Sequence, residues 1–256
     1  MSALLSTIRD LHRRKARERR ALALAEGIRL VEEALAAGVR ITGVVAGPAL
    51  DAMPRGKALL AALTAAKVPI EAATDAELVE LADTEHPQGV VAVVSPRVWA
   101  PADIRTTVAH PVVVLDGVQD PGNVGTIART GLALGAAGLV ALPGTADLLN
   151  PKALRGSMGA LFRLPALHMS DAEFLEWARA AGVELWATAI DGEDIRRTPP
   201  RAAPVALILG NEGAGIRAEL VSVSARRVAV PIVAGTESLN VAVAAGILLH
   251  EVTRGR

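Results

Sequence analysis

The sequence predicts an α/β protein whose C-terminal part is built on a parallel sheet. Three observations lead there. Short runs rich in Val, Leu and Ile alternate with helix-forming stretches along most of the chain. Gly-rich turns follow the runs that end near 118, 210 and 232, and open parallel sheets bind ligands at such strand ends. A stretch at 97–110 carries Pro101, abuts Pro111 and has no long apolar period. At roughly 150 residues per domain, 256 residues fit one large domain or two modest ones. The expected division is a small α/β domain at 1–100, a linker at 101–110 and a second domain at 111–256.

Residues 2–36 read as helical, because Leu24, Ile28, Val31 and Leu35 form a stripe and Gly38 supplies a stop. A strand is expected at 41–46, closed by Gly47-Pro48, then a helix near 56–66 and an extended run at 68–73. Thr74 or Asp75 can cap a short helix to Ala82. GVVAVVSP at 89–96 reads as a buried strand closed by Pro96. The first domain is thus an αβαβαβ pattern, a small three-layer unit. In the second, PVVVLDGV at 111–118 is a buried strand, followed by a helix at 122–136 and a strand at 138–142. Helices near 150–160 and 171–181, strands at 184–190, 205–210 and 226–232, and a helix at 238–254 complete it.

Composition narrows the chemistry. Hydrophobic residues make up 51% and charged residues 21%, which supports a buried core and excludes a disordered chain. Three Trp, two Phe and no Tyr leave little for an aromatic platform that stacks several bases. Without cysteine there are no disulfides, thiolate nucleophiles, Cys-ligated zinc or iron–sulfur clusters. His12, His86, His110, His168 and His250 are scattered with no HExxH spacing, so no metal is expected. The N-terminus lacks the apolar core of a signal peptide, and no apolar run approaches the ~20 residues of a membrane span. A cytoplasmic protein is expected.

Net charge is zero, so any nucleic-acid partner needs a local patch. Arg9, Arg13, Arg14, Lys15, Arg17, Arg19 and Arg20 form one, against only Asp10 and Glu18. It reads either as a solvated helix or as a phosphate-contacting arm.

Three loops of the second domain carry the chemistry. The first is Asp120-Pro121-Gly122-Asn123-Val124-Gly125, entering a helix with Arg129; it reads either as a tight turn or as backbone N–H groups facing an anion. The dinucleotide fingerprint fails, because the glycines fall at 117, 122 and 125 and the next strand ends in Pro143-Gly144 without an acidic residue. Walker A fails for want of a Gly-Lys-Ser/Thr. The second loop, Gly210-Asn211-Glu212-Gly213-Ala214-Gly215, sets a carboxylate inside a Gly-rich turn, where it either caps the next helix or serves a site. In the third, Gly235-Thr236-Glu237-Ser238-Leu239-Asn240, Ser238 is the expected N-cap and Asn240 lies in the first helical turn.

In this order and spacing the three loops resemble the SpoU (TrmH-like) family of RNA ribose 2′-O-methyltransferases, in the SPOUT superfamily. The likeness covers about 111–254: N-x-G-x-x-x-R, then G-N-E-G-x-G, then V-P-I-x-x-G-x-x-S-L-N-V-A-V-A. NPKALRGSMGALFRLP at 150–165 is similar to the segment between the first two motifs. AEGIRLVEEAL at 25–35 and HPQGVVAVV at 86–94 resemble the small substrate-binding domain that many members carry.

The resemblance implies a parallel-sheet domain tied in a deep trefoil knot, a bent S-adenosylmethionine in the knotted pocket, and a homodimer. Its cofactor positions fall on Leu209, Gly210, Val230, Ile232, Ser238, Leu239 and Asn240. It implies that Arg129 orients and activates the ribose 2′-hydroxyl; whether it accepts the proton or only organises the site stays open. Asn123 is expected to fix the first loop and contact the ribose or phosphate, with Glu212 as anchor for Asn123 or Arg129. Arg13, Arg14, Lys15, Arg17, Lys152 and Arg155 are the expected RNA-facing residues. The expected substrate is RNA, 23S ribosomal RNA foremost. The alternatives are tRNA, or a binding module of the same fold without turnover. An oxidoreductase on an ordinary dinucleotide fold is disfavoured by the failed fingerprint.

Overall fold

The structure, a computed structural model, describes residues 2–84, 86–199, 201–233 and 235–254. Its helices and strands run α1 (Ala3–Leu11), α2 (Arg14–Arg20), β1 (Ala23–Glu26), α3 (Ile28–Ala36), β2 (Arg40–Ala46), α4 (Pro48–Ala52), α5 (Pro54–Ala65), β3 (Ile70–Ala72), α6 (Asp75–Leu81) and β4 (Val90–Ser95). Then follow β5 (Val112–Asp116), α7 (Pro121–Ala133), β6 (Gly138–Ala141), α8 (Pro151–Ser157), β7 (Ala166–His168), α9 (Asp171–Ala180), β8 (Glu184–Asp194), β9 (Val205–Gly210), α10 (Ala218–Ser222), β10 (Arg226–Ala229) and α11 (Val241–Thr253). They form two compact units: the chain up to Arg97 with Leu149–Phe162, and Val98–Leu148 with the chain from Arg163 on. Among the described residues no helix is long and apolar enough to cross a membrane, and no His/Asp/Glu group is disposed to hold a metal.

The first unit departs from the expected single helix over 2–36. Ala21 turns left-handed (φ 50°) and ends α2. Every residue of β1 is buried, and Gly27 (φ 91°) then redirects the chain into α3. Leu24, placed on the helical stripe from sequence, instead pairs with Val93 across the sheet. The sheet order is β1-β4-β2-β3, with β1 and β2 antiparallel to β4 and β3 parallel to β2. Of the two expected caps, Thr74 is the one that starts α6, in a capping box with Glu77.

Two arginines expected to face RNA are used inside this unit. Arg17 is 3% exposed, and its Nη1 donates to the carbonyls of Leu11 (2.9 Å) and His12 (2.8 Å), closing the C-terminus of α1. Arg155 donates to Glu26 (3.1 Å) and Asp83 (2.6 Å). Glu26, buried on β1, also accepts from the Asp83 N–H (2.8 Å) and the Thr84 hydroxyl. A buried carboxylate needs such partners, and one of them comes from a helix more than a hundred residues along the chain. That helix, α8, was expected in the second domain; the structure places Leu149–Phe162 in the first unit, with Ala153, Leu154 and Ser157 buried.

The second unit is a six-stranded sheet, all parallel, in the order β10-β8-β9-β5-β6-β7. From β5 the chain first builds outward through β6 and β7. It then builds the other side, so β9 and β5 are neighbours of opposite winding and their C-terminal ends form the switch point. Val112, Val114, Ala206 and Ile208 face one apolar layer with Phe174 of α9, and α7 and α11 pack together. Three details differ from the sequence reading. β7 and α10 were not expected. β8 runs on to Asp194. β10 stops at Ala229, and α11 starts only at Val241, leaving 230–233 and 235–240 without regular structure.

Candidate active site

Register sets the site. Leu115 pairs with Leu209 and Asp116 with Gly210, so the first and second loops leave adjacent strands side by side. Gly117 (φ 73°) makes the first turn. Its N–H is accepted by the Thr145 hydroxyl (3.1 Å), and its carbonyl accepts from Asn211 Nδ2 (2.8 Å). Asp120 then caps α7 through the Gly122 N–H (2.9 Å), with Pro121 as first helical residue.

The second loop closes on itself. Asn211 and Gly215 exchange backbone hydrogen bonds of 3.0 Å, and Asn211 Oδ1 accepts from the N–H groups of Gly213 and Ala214, both at 2.9 Å. A Cβ on Gly210 would lie 2.3 Å from the Gly215 carbonyl carbon, so only glycine allows this closure. Beyond the loop, Arg217 binds the buried Asp116 through its N–H (2.8 Å) and Nε (2.7 Å) and forks onto Asp171 (2.7 Å twice). The Asp171 hydrogen bond raises the Arg217 pKa first; burial opposes it and Asp116 adds to it.

One chain of hydrogen bonds joins all three loops. Asn240 Nδ2 donates to Asn123 Oδ1 (3.1 Å), and Asn123 Nδ2 donates to Glu212 Oε1 (3.0 Å). Glu212 also accepts from the N–H groups of Gln119 (3.2 Å) and Asp120 (3.4 Å). Partial burial pushes its carboxyl up, but the hydrogen bonds from Asn123 and the loop backbone outweigh that and hold it below the usual glutamate value. Asn240, not Ser238, is the N-cap of α11, with Oδ1 accepting from Ala242 (2.9 Å) and Val243 (3.3 Å). Glu212 caps no helix; the helix after its loop, α10, has Arg217 as its N-cap residue.

Leu209, Gly210, Val230, Ile232, Ser238, Leu239 and Asn240 all line one cleft of about 600 Å³, together with Glu212. Apolar walls beside loops with free backbone groups suit a ligand with an aromatic ring system and polar edges, as S-adenosylmethionine has. Asn123 and Arg129 are not among the described lining residues. Asn123 joins the cleft through Glu212 and Asn240, whereas Arg129 is exposed on α7 and pairs with no described residue. In the first unit, Arg13, just ahead of α2, and Arg14 and Lys15 within it are exposed, and Lys152 is exposed on α8. Sequence reasoning missed Thr145, Asn211, Asp116 and Arg217. Asn211 and Asp116 sit beside motif glycines and could have been found; Thr145 and Arg217 carry no local signal.

A model of the SpoU rRNA methylase family matches residues 110–250, and one of the MRM3-like substrate binding domain matches residues 5–92. The 23S rRNA (guanosine(2553)-2′-O)-methyltransferase RlmP of Bacillus subtilis is 33% identical over 94% of this chain and 92% of its own length. An AdoMet-bound rRNA methyltransferase from Sinorhizobium meliloti matches with a TM-score of 0.87 and 32% identity, over 99% of this chain and 95% of that one. The SpoU methyltransferase AviRb of Streptomyces viridochromogenes, in complex with the cofactor AdoMet, matches with a TM-score of 0.89 and 29% identity, over 99% and 98%. With its three loops closing on one cleft at the switch point, this chain belongs to the SpoU rRNA methylase family of the SPOUT superfamily.

Proposed function

We propose that this protein transfers a methyl group from S-adenosylmethionine to a ribose 2′-hydroxyl of 23S ribosomal RNA. The observation that carries the reading is the Asn240–Asn123–Glu212 chain, which ties the family's three motif loops around one cleft. Relatives named as 23S rRNA 2′-O-methyltransferases favour ribosomal RNA over tRNA. The complete set of motif side chains favours turnover over a passive binding module.

Leu209, Val230, Ile232 and Leu239 supply the apolar walls for the cofactor, and Gly210, Ser238 and Asn240 its polar edges. Bound there, the cofactor contributes an electrophilic methyl group. Arg129 holds the 2′-hydroxyl and its neighbouring phosphate through its planar fork of donors. Glu212 and Asn123 keep the loop ahead of it in shape.

The reading extends to three finer points. The irregular stretches 230–233 and 235–240, between an edge strand and a helix packed on α7, support the family's trefoil knot. Val243 and Ile247 lie exposed one turn apart on α11, near the exposed cleft residue Leu239; this apolar stripe supports a homodimer. Action on ribosomal RNA, as the bacterial relatives' names give it, supports a cytoplasmic location. Arg13, Arg14, Lys15 and Lys152 are the proposed RNA contacts, and the chain up to Arg97 with Leu149–Phe162 is the proposed substrate-binding part.

The test is transfer from labelled S-adenosylmethionine to large-subunit rRNA and to bulk tRNA, followed by alkaline hydrolysis. Label in alkali-resistant dinucleotides from rRNA is expected. Label in mononucleotides would mean base methylation, and label in tRNA alone would overturn the substrate assignment.

A further inference from the structure

We propose that the corner between α1 and α2 is a contact surface for RNA phosphates, and that Asp10 is its positioning residue. This rests on the RNA substrate argued above. One carboxylate in the last turn of α1 receives three guanidinium groups: Arg13 at 2.5 Å, Arg19 at 3.1 Å and Arg20 at 3.0 Å. Arg14 with Glu18 and Arg55 with Glu32, by contrast, are one-to-one exposed pairs among the described residues. Three cations on one anion leave excess positive charge and mutual repulsion, and exposed ion pairs return little stability. The arrangement makes sense where a further anion completes it.

The geometry suits a phosphate backbone. Asp10 lies underneath, with 16% of its side chain exposed, while Arg13, Arg19 and Arg20 lie above it at 76%, 69% and 41%. Each arginine spends one N–H on Asp10 and has four more, a fork that fits phosphate oxygens. Burial pushes the Asp10 carboxyl up, but the hydrogen bond from Arg20 and the charges of Arg13, Arg20 and Arg19 hold it below the usual value, so it stays ionised near neutrality. The corner beneath is stiff. Ile8 and Leu11 are fully buried, Arg17 closes the end of α1, and His12 Nε2 meets the Leu81 carbonyl at 2.9 Å. Asp10 therefore orders three long side chains before any partner arrives, which removes part of the entropy that binding would otherwise lose. A membrane is the poorer fit, because RKARERR carries no large apolar residue to insert.

The two views of Asp10 differ in sign. As a mere negative charge it should oppose RNA, and its removal should tighten binding. As a positioning residue its removal should weaken binding although the surface becomes more positive. The experiment is filter binding of the full chain to protein-free 23S rRNA over a salt series. Asp10→Asn is expected to weaken binding about fivefold. It should not unfold α1, since an acidic residue is disfavoured at a helix C-terminus. A triple variant, Arg13→Lys, Arg19→Lys and Arg20→Lys, keeps the charge but not the forks and is expected to weaken binding by at least as much. In both, KM for rRNA should rise while kcat and cofactor affinity stay at the wild-type value. Unchanged or tighter binding by either variant overturns the proposal, and the triple variant decides if the other fails to fold. Loss of binding to phosphatidylserine vesicles without loss of rRNA binding would assign the surface to membranes and also overturn it. A wild-type chain that transfers no methyl group to rRNA would instead sink the underlying function.

Discussion

At Asn240 one side-chain amide does two things: its oxygen starts α11 and its nitrogen holds Asn123. The two can be separated. Asn240→Ala loses both, which costs about 1 kcal/mol for the cap and should weaken cofactor binding in calorimetry. Asn240→Asp keeps the cap but turns an acceptor towards Asn123 Oδ1, so the thermal midpoint should hold while cofactor affinity falls about tenfold. Arg129, exposed and unpaired among described residues, should behave differently. Arg129→Ala is expected to keep cofactor affinity and lose about a hundredfold or more in transfer rate; normal turnover would remove it from catalysis. Glu212 adds a pH dependence. Its folded pKa lies below the ordinary value, so its contribution is complete above that ordinary value and is lost as pH falls through the lowered one. Thermal midpoints should therefore drop on acidification below about pH 4.5, and Glu212→Gln should flatten that part of the curve. The motif residues were legible because each loop carries its own glycines. Asn240 was displaced from the cap in the reading only because Ser238, two residues earlier, is an equally good capping type.

Among the elements, β1 shows where periodicity misleads. Leu24 stands four residues before Ile28 and fits a helical stripe, yet Ala21 and Gly27 break the helix on either side. Short strands such as β1 and β7 offer too few residues for alternation to show. Helix α8 was legible as a helix but not in its placement, because Glu26, its partner, is 129 residues away from Arg155. Arg155→Met would leave that buried carboxylate with two hydrogen-bond donors and no charge partner. The expected cost is about 2 kcal/mol in urea unfolding, and an unchanged midpoint would make the ion pair incidental.

Over the whole molecule, the parallel sheet and its ligand-facing strand ends were legible from the βα alternation and the Gly-rich turns, while the strand order, and with it the switch point, and the mixed order of the first sheet were not. The loss of apolar period puts the expected linker at 101–110, while the first unit's leading stretch runs to Arg97. The return of the chain at 149–162 was not legible, since a helix looks alike whichever core it joins. A fragment of residues 1–100 would lack α8 and expose the apolar surface that covers Ala153 and Leu154. It is expected to bind a hydrophobic dye and to melt without cooperativity, and fusing residues 149–162 to it by a flexible linker should restore a folded transition. A fragment that folds as well alone would show that α8 adds nothing to this core.

The chain passes between its two units three times, at 97–98, 148–149 and 162–163. Exchange of the leading part between relatives by a single crossover would graft a foreign sheet onto a resident helix that carries Arg155 for another protein's glutamate. A working hybrid needs three crossovers, one at each passage, made together. Recombination that moves one block of sequence at a time would seldom produce it, so new substrate preferences in such a chain are reached more readily by point changes than by shuffling.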